Sequence, residues 1–169
     1  TTLGSRNLRD GVVVVRDGTV PKMVLEVPLD MGNLRWVETL NTNSILDRGV
    51  LDHVRKGDEV PVTGSFSAKY VELRGAGTPQ RATLYDALKR AGAWAAAVSV
   101  GGAGEDRYML ELLFIVRNPD TMLTSGHKDE YIKFNRMYFN SIENREGDPT
   151  NEIAVNFTAH ITAPTIARS

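Results

Sequence analysis

The feature that most constrains this chain is an alternation of period two. In PVTGSFSAKYVEL, from Pro61 to Leu73, the side chains of Val62, Phe66, Ala68 and Tyr70 share one face, and Thr63, Ser65, Ser67 and Lys69 share the other. EIAVNFTAHI repeats the pattern near the end, with Ile153, Val155, Phe157, Ala159 and Ile161 on one side. Successive strand residues point to opposite faces, so both segments read as strands with one side on a core. VVVV, from Val12 to Val15, is β-branched throughout and is followed by Asp17-Gly18, a hairpin signal. Its partner strand is expected over Pro21 to Leu29, where Met23, Leu25, Val27 and Leu29 alternate with Lys22, Val24 and Glu26. Further strands are expected over Leu34 to Leu40, Trp94 to Val100, Tyr108 to Asn118 and Tyr131 to Asn140.

A helical period occurs in TLYDALKRAGA. Thr83 can cap its N-terminus, with Asp86 three residues on completing a capping box. Leu84 and Leu88 lie on one face, and Gly92 is placed to close the helix. Many strands and one short helix predict an α+β fold that is mainly β, an antiparallel β-sandwich or barrel with a single flanking helix. At 169 residues, one domain over residues 1–169 is expected.

Composition narrows function mainly by exclusion. There is no cysteine, which removes disulfides, thiolate metal sites and cysteine nucleophiles and fits a reducing compartment. The 20 Lys and Arg balance 21 Asp and Glu, so the basic excess of a groove-reading nucleic-acid binder is missing. No apolar run reaches the ~20 residues of a membrane span, and no basic amphipathic helix suits a membrane surface. The opening TTLGSRNLRD lacks the apolar centre of a signal peptide, and Thr1 suggests a removed initiator methionine.

A search for chemistry returns no active site. His53 follows Asp52 near Asp58 and Glu59, but no second histidine stands three or four residues away, and His127 and His160 are distant in sequence. There is no G-x-S-x-G, and Gly64-Ser65 falls inside a strand. GGAGED, Gly101 to Asp106, precedes a strand and carries carboxylates, so it reads as a hairpin connection and not as a phosphate loop. No cofactor or metal is expected, and the chain does not read as an enzyme.

One stretch resists this account. ILDRGVLDHVRKGDE, Ile45 to Glu59, sets Asp47, Asp52, Asp58 and Glu59 against Arg48, Arg55 and Lys56, with His53 among them. A thin apolar thread of Ile45, Leu46, Val50, Leu51 and Val54 runs through it. Composition leaves two readings open: a loop that docks on a partner through mixed charges, and a solvated mobile loop. Long loops in compact domains are usually functional, which favours the first.

The run SILDRGVLDHVRKGDEVPVTGSFSAKYVEL, then TPQRATLYDALKRAGA, and the late FNSIENREGDPTNEIAVNFTAHITA together resemble the tail tube (major tail) proteins of tailed bacteriophages. The likeness spans roughly residues 10 to 163 and follows the family's order of elements. It implies structural work: hexameric rings stacked into a hollow tube through which the genome passes. It also implies a place in the virion, after assembly in the host cytoplasm, with tip or baseplate, terminator and sheath proteins as partners. DNA would pass transiently, with no stable membrane association. In that family a long loop between early strands reaches the adjacent ring, and here residues 41–60 occupy its position. A conduit should not hold its cargo, so an acidic or neutral lining of the lumen is expected, with Glu26, Asp30, Glu38 and Glu72 as the acidic candidates. Two alternatives stand beside this: the tube protein of a type VI secretion or other contractile injection system, and a monomeric ligand-binding barrel or enzyme.

Overall fold

The computed structural model describes residues 11–27, 33–69, 73–74, 81–100, 106–117, 129–147 and 151–168. In chain order the strands are β1 (Gly11–Arg16), β2 (Val24–Val27), β3 (Arg35–Val37), β4 (Thr42–Asp47), β5 (Val50–Lys56), β6 (Val62–Lys69), β7 (Leu73–Arg74) and β8 (Arg81–Ala82). The helix α1 (Leu84–Lys89) follows, then β9 (Leu110–Val116), β10 (Glu130–Arg145), β11 (Glu152–Ala159) and β12 (Thr165–Arg168). Eight strands form one antiparallel sheet in the order β2-β1-β9-β10-β11-β6-β3, with β12 also paired to β10. Two small ribbons, β4-β5 and β7-β8, stand apart from it. The fold is therefore α+β and mainly β, with one short α-helix among the described residues, as the sequence pattern predicts.

The sheet closes over its own core because β10 is bent twice. Its register slips between Phe134 and Met137, where Arg136 has φ 56°, and again between Phe139 and Ser141. Bulges bend a strand and increase its twist. The first part of β10 pairs with β9 and β12, and the later part pairs with β11. Trp36 on the end strand β3 then meets Phe134 edge-on, with ring centroids 5.2 Å apart, and Phe114 of β9 at 6.4 Å. Strands far apart along the hydrogen-bonded path thus face one another across the interior.

That interior is apolar and aromatic. Phe157 packs against Phe134 at 5.8 Å and Phe66 at 6.0 Å, and all three are buried. Each such ring contributes about 1.5–3 kcal/mol by leaving water. Gly64 makes this packing possible: a Cβ there would lie 2.5 Å from the Arg35 carbonyl oxygen and 2.6 Å from the Phe157 ring. On β6, Val62, Phe66 and Ala68 are buried, and on β11 Ile153, Val155, Phe157 and Ala159 are, as the alternation requires. The helix buries Leu84, Ala87 and Leu88, and its capping box is present at Thr83 and Asp86.

Several expectations are corrected. Closure of α1 falls to Arg90 in the left-handed region (φ 53°, ψ 48°), ahead of Gly92. Trp94 to Val100 is not a strand: Gly92–Trp94 is a 3₁₀ turn, and Trp94 and Ala97 are buried three residues apart, a helical spacing. Asp17-Gly18 is no two-residue turn. Buried Asp17 holds a longer connection together, its Oδ1 accepting from the Met23 and Thr19 amides at 2.7 and 3.2 Å and the Thr19 hydroxyl at 2.6 Å. Its Oδ2 accepts from the Val98 amide at 3.2 Å, and Gly18 donates to the Val98 carbonyl at 2.8 Å. The partner strand expected over 21–29 therefore starts at Val24 and is described to Val27, with 28–29 outside the described residues, and that expected over 34–40 is Arg35–Val37. β10 runs beyond the expected Tyr131 to Asn140 at both ends, and β12 was not expected at all.

Candidate assembly interface

The charged stretch after β3 is not a loop. It is an antiparallel ribbon, with Thr42 opposite Lys56, Asn43 opposite Arg55, Ser44 opposite Val54 and Ile45 opposite His53. Asp47 and Val50 close it around Arg48 and Gly49, both at positive φ (50° and 84°). Positive φ at both central residues marks the type I′ turn, whose twist matches that of paired strands. Between Ile45 and Leu46 the register shifts, leaving Asp52 as the extra residue and pairing Leu46 with Leu51. This bulge hides the alternation from a reader of the sequence, because it changes the phase of β5 halfway along.

Cross-strand partners share a face, so the ribbon has two distinct sides. One carries Ser44, Leu46, Leu51 and Val54, and the other Asn43, Ile45, Asp47, Val50, His53 and Arg55. Every residue of β5 is exposed, and on β4 only Ile45 is half-buried. Leu46, Leu51 and Val54 are 58%, 71% and 65% exposed. A two-stranded ribbon is marginal alone in water, and an apolar stripe left in solvent gains nothing from burial. The ribbon is complete as backbone and incomplete as a packed element.

Its base is clasped. The Gly57 amide donates to the Asn41 carbonyl at 2.7 Å, and Asn41 Nδ2 donates to the Asp58 carbonyl at 3.3 Å. Lys56 Nζ lies 3.0 Å from Glu59, and His53 Nδ1 lies 2.7 Å from Asp52. Both pairs are exposed, and such pairs contribute little to stability. The ribbon thus brings together all the residues from Ile45 to Lys56 that the sequence singles out, and Asp58 and Glu59 lie just past its clasp.

The acidic candidates are arranged differently. Exposed Glu26 sits on β2, at one end of the sheet's hydrogen-bonded path, and exposed Glu38 follows β3 at the other end. They do not share a hairpin. Asp30 and Glu72 lie outside the described residues.

Two buried acids escape the sequence reading. Asp17 is the connection hub described above. Glu111 on β9 is 2% exposed and receives hydrogen bonds from Arg16 and from Lys22 Nζ, the latter at 2.6 Å. Burial pushes its carboxyl up, but the hydrogen bonds from Lys22 and Arg16, with their charges, outweigh that and hold it below the ordinary glutamate value. Its partners lie 95 and 89 residues away in sequence, so no local signal marks the site. Among the described residues no group of three or more His, Asp or Glu could hold a metal, and no helix is long and apolar enough to cross a membrane.

No protein-family model and no curated protein matches the chain. Among solved structures, it is similar to a chain of an extracellular contractile injection system, in a cryo-EM structure of the PVC sheath-tube complex in its extended state. The TM-score is 0.55 at 10% identity, over 98% of this chain and 93% of the other, so the likeness is one of fold.

Proposed function

We propose that this chain is a structural tube subunit that forms hexameric rings and stacks them into the hollow tail tube of a bacteriophage. The ribbon from Thr42 to Lys56 reaches the adjacent ring and buries its Leu46, Leu51 and Val54 stripe there. The observation that carries this reading is the ribbon itself: an ordered, twisted hairpin with an apolar side in water, on a fold similar to a chain of a sheath-tube complex. The subunit's work is scaffolding and not catalysis. Its neighbours are further copies of itself, the tip or baseplate, the terminator and, in a contractile tail, the sheath; its place is the virion, with the genome passing through.

A second reading has its own support. The similar structure belongs to an injection system, which favours the same subunit role in a contractile injection device. The two readings share the tube and differ in what travels through it.

Electron microscopy and sedimentation of concentrated protein, alone and with its tip complex, test the common part. Rings or tubes are expected; a subunit that stays monomeric under both conditions overturns it. Replacing Arg55 and Lys56 with Glu is expected to block stacking while leaving the melting temperature of the subunit unchanged.

A further inference from the structure

The two outer faces of the main sheet differ in chemistry. Over β1, β9 and the start of β10, the face away from the core carries Val12, Val14, Leu113, Ile115 and Tyr131 around the Arg16–Glu111 pair. Over β3, β6, β11 and the later part of β10 it carries hydroxyls and amides. Ser65 lies opposite Asn156, which lies opposite Ser141, and Thr63 lies opposite Thr158. Only Val37, at the end adjoining the ribbon, is a large exposed apolar side chain there among the described residues.

Several of these polar groups are hydrogen-bonded within the face. Asn156 Nδ2 donates to Ser141 Oγ at 2.8 Å, Asn140 Nδ2 to Thr158 Oγ1 at 2.6 Å, and Arg35 Nε to Ser65 Oγ at 2.9 Å. Arg145 Nε and Nη2 bind both oxygens of Glu143, at 2.8 and 3.2 Å. Arg35, Lys69 and Arg145 stand on this face against Glu143 and Glu152, and Arg107 lies 4.8 Å from the ring centroid of Tyr138, opposite Thr158 on the same face, donating to the Phe139 carbonyl at 3.0 Å.

We infer that this hydroxyl–amide face is the channel wall of the tube, turned towards DNA in transit. The inference rests on the tube reading and assigns the wall to small neutral side chains in place of the acidic set. Two features support it. First, β3 leads into the ribbon and β6 leads out of it, so the strands behind this face run on into the element that reaches the next ring. A wall continuous from ring to ring needs such strands. Second, cations neutralising phosphates add affinity through counterion release, and here Arg35, Arg107 and Arg145 are already engaged by Ser65, the Phe139 carbonyl and Glu143. Groups already hydrogen-bonded to one another gain little by exchanging partners with a passing polymer.

The chain's lack of cysteine gives a direct test. Single variants Ser67→Cys and Asn156→Cys, with Ala167→Cys on the other outer face, are assembled into tubes checked by microscopy. They are then treated with a small maleimide or one carried on a bulky polymer. In free subunits both reagents are expected to label every variant. In tubes, the bulky reagent is expected to lose access to positions 67 and 156 while the small one still enters. Tubes in which the bulky reagent labels 67 and 156 as freely as the small one overturn the wall assignment alone. So do tubes in which 167 is the position shielded from the bulky reagent only. Absence of rings and tubes for the unaltered protein overturns the tube reading, and the wall falls with it.

Discussion

The β4–β5 ribbon and the β10–β11 ladder are both bulged antiparallel pairs, built from the same backbone hydrogen bonds. In the ladder, one face presents Ile153, Val155 and Phe157 to a closed aromatic core. In the ribbon, the corresponding apolar side, Leu46, Leu51 and Val54, meets water. Hydrogen bonding sets the register of both, because it satisfies the backbone equally well in each. Burial separates them: a buried strand holds its stability within the subunit, whereas the ribbon's apolar energy becomes available only on contact with another surface.

The comparison breaks most visibly through large-to-small changes on the two sides. Phe157→Ala is expected to cost the subunit about 3–5 kcal/mol in denaturant melts, the usual loss for a buried aromatic. Leu51→Ala is expected to stay within ~0.5 kcal/mol in the same melts, yet to weaken assembly measured by sedimentation. Subunit destabilisation by Leu51→Ala as large as that by Phe157→Ala would mean the ribbon is packed within its own chain.

A smaller effect is expected at Gly64, where the ladder's packing depends on a missing side chain. Gly64→Ala must push the β3 backbone or the Phe157 ring aside, at a cost of about 1–3 kcal/mol typical of overpacking. Chemical denaturation reads it directly; an unchanged midpoint would show that β3 moves away freely.

Acid sharpens the contrast further, because the ion-paired acid lies in the sheet and the ribbon's carboxylates are exposed. The Glu111 carboxyl is held below its ordinary value in the folded chain. Its contribution is therefore fully present above the unfolded value, near ~4.3, and is lost as pH falls through the folded value. Glu111→Gln is expected to flatten the acid limb of the stability profile. Melts across an acid pH series would decide it.

The smallest expected effect lies in the turn. Arg48 occupies a positive φ that side chains with a Cβ adopt at a cost. Arg48→Gly is therefore expected to slow amide exchange in β4 and β5 of the free subunit, with the sheet's exchange unchanged. Assembly should then protect the ribbon of the unaltered chain by more than this substitution does.

What the sequence discloses follows the same division. Segments with one face buried, such as β6 and β11, advertise themselves through alternation, and α1 through its capping box and the Leu84–Leu88 spacing. The ribbon is exposed on both sides within the subunit, and the bulge at Asp52 breaks the phase of the alternation it carries. Its charge and its apolar thread still marked it as unusual, while its form as a hairpin did not show. In β10 the shifts after Phe134 and Phe139 reset the phase and conceal its full length. β12 is exposed throughout and carries no burial signal. Glu111 draws on partners 89 and 95 residues away, and Asp17 ties its local partners to Val98, 81 residues away, contacts that only the folded chain brings about.

The clasp at the foot of the ribbon gives the molecule a natural seam. Asn41 and Gly57 already meet at 2.7 Å, so the chain enters and leaves the ribbon at nearly the same point. Loop-closure entropy varies slowly with loop length once the ends are held together. Residues could therefore be added to or removed from the ribbon in pairs with little consequence for the sheet below. Reach becomes a property that can be tuned on its own, as a lever is lengthened without rebuilding its mount.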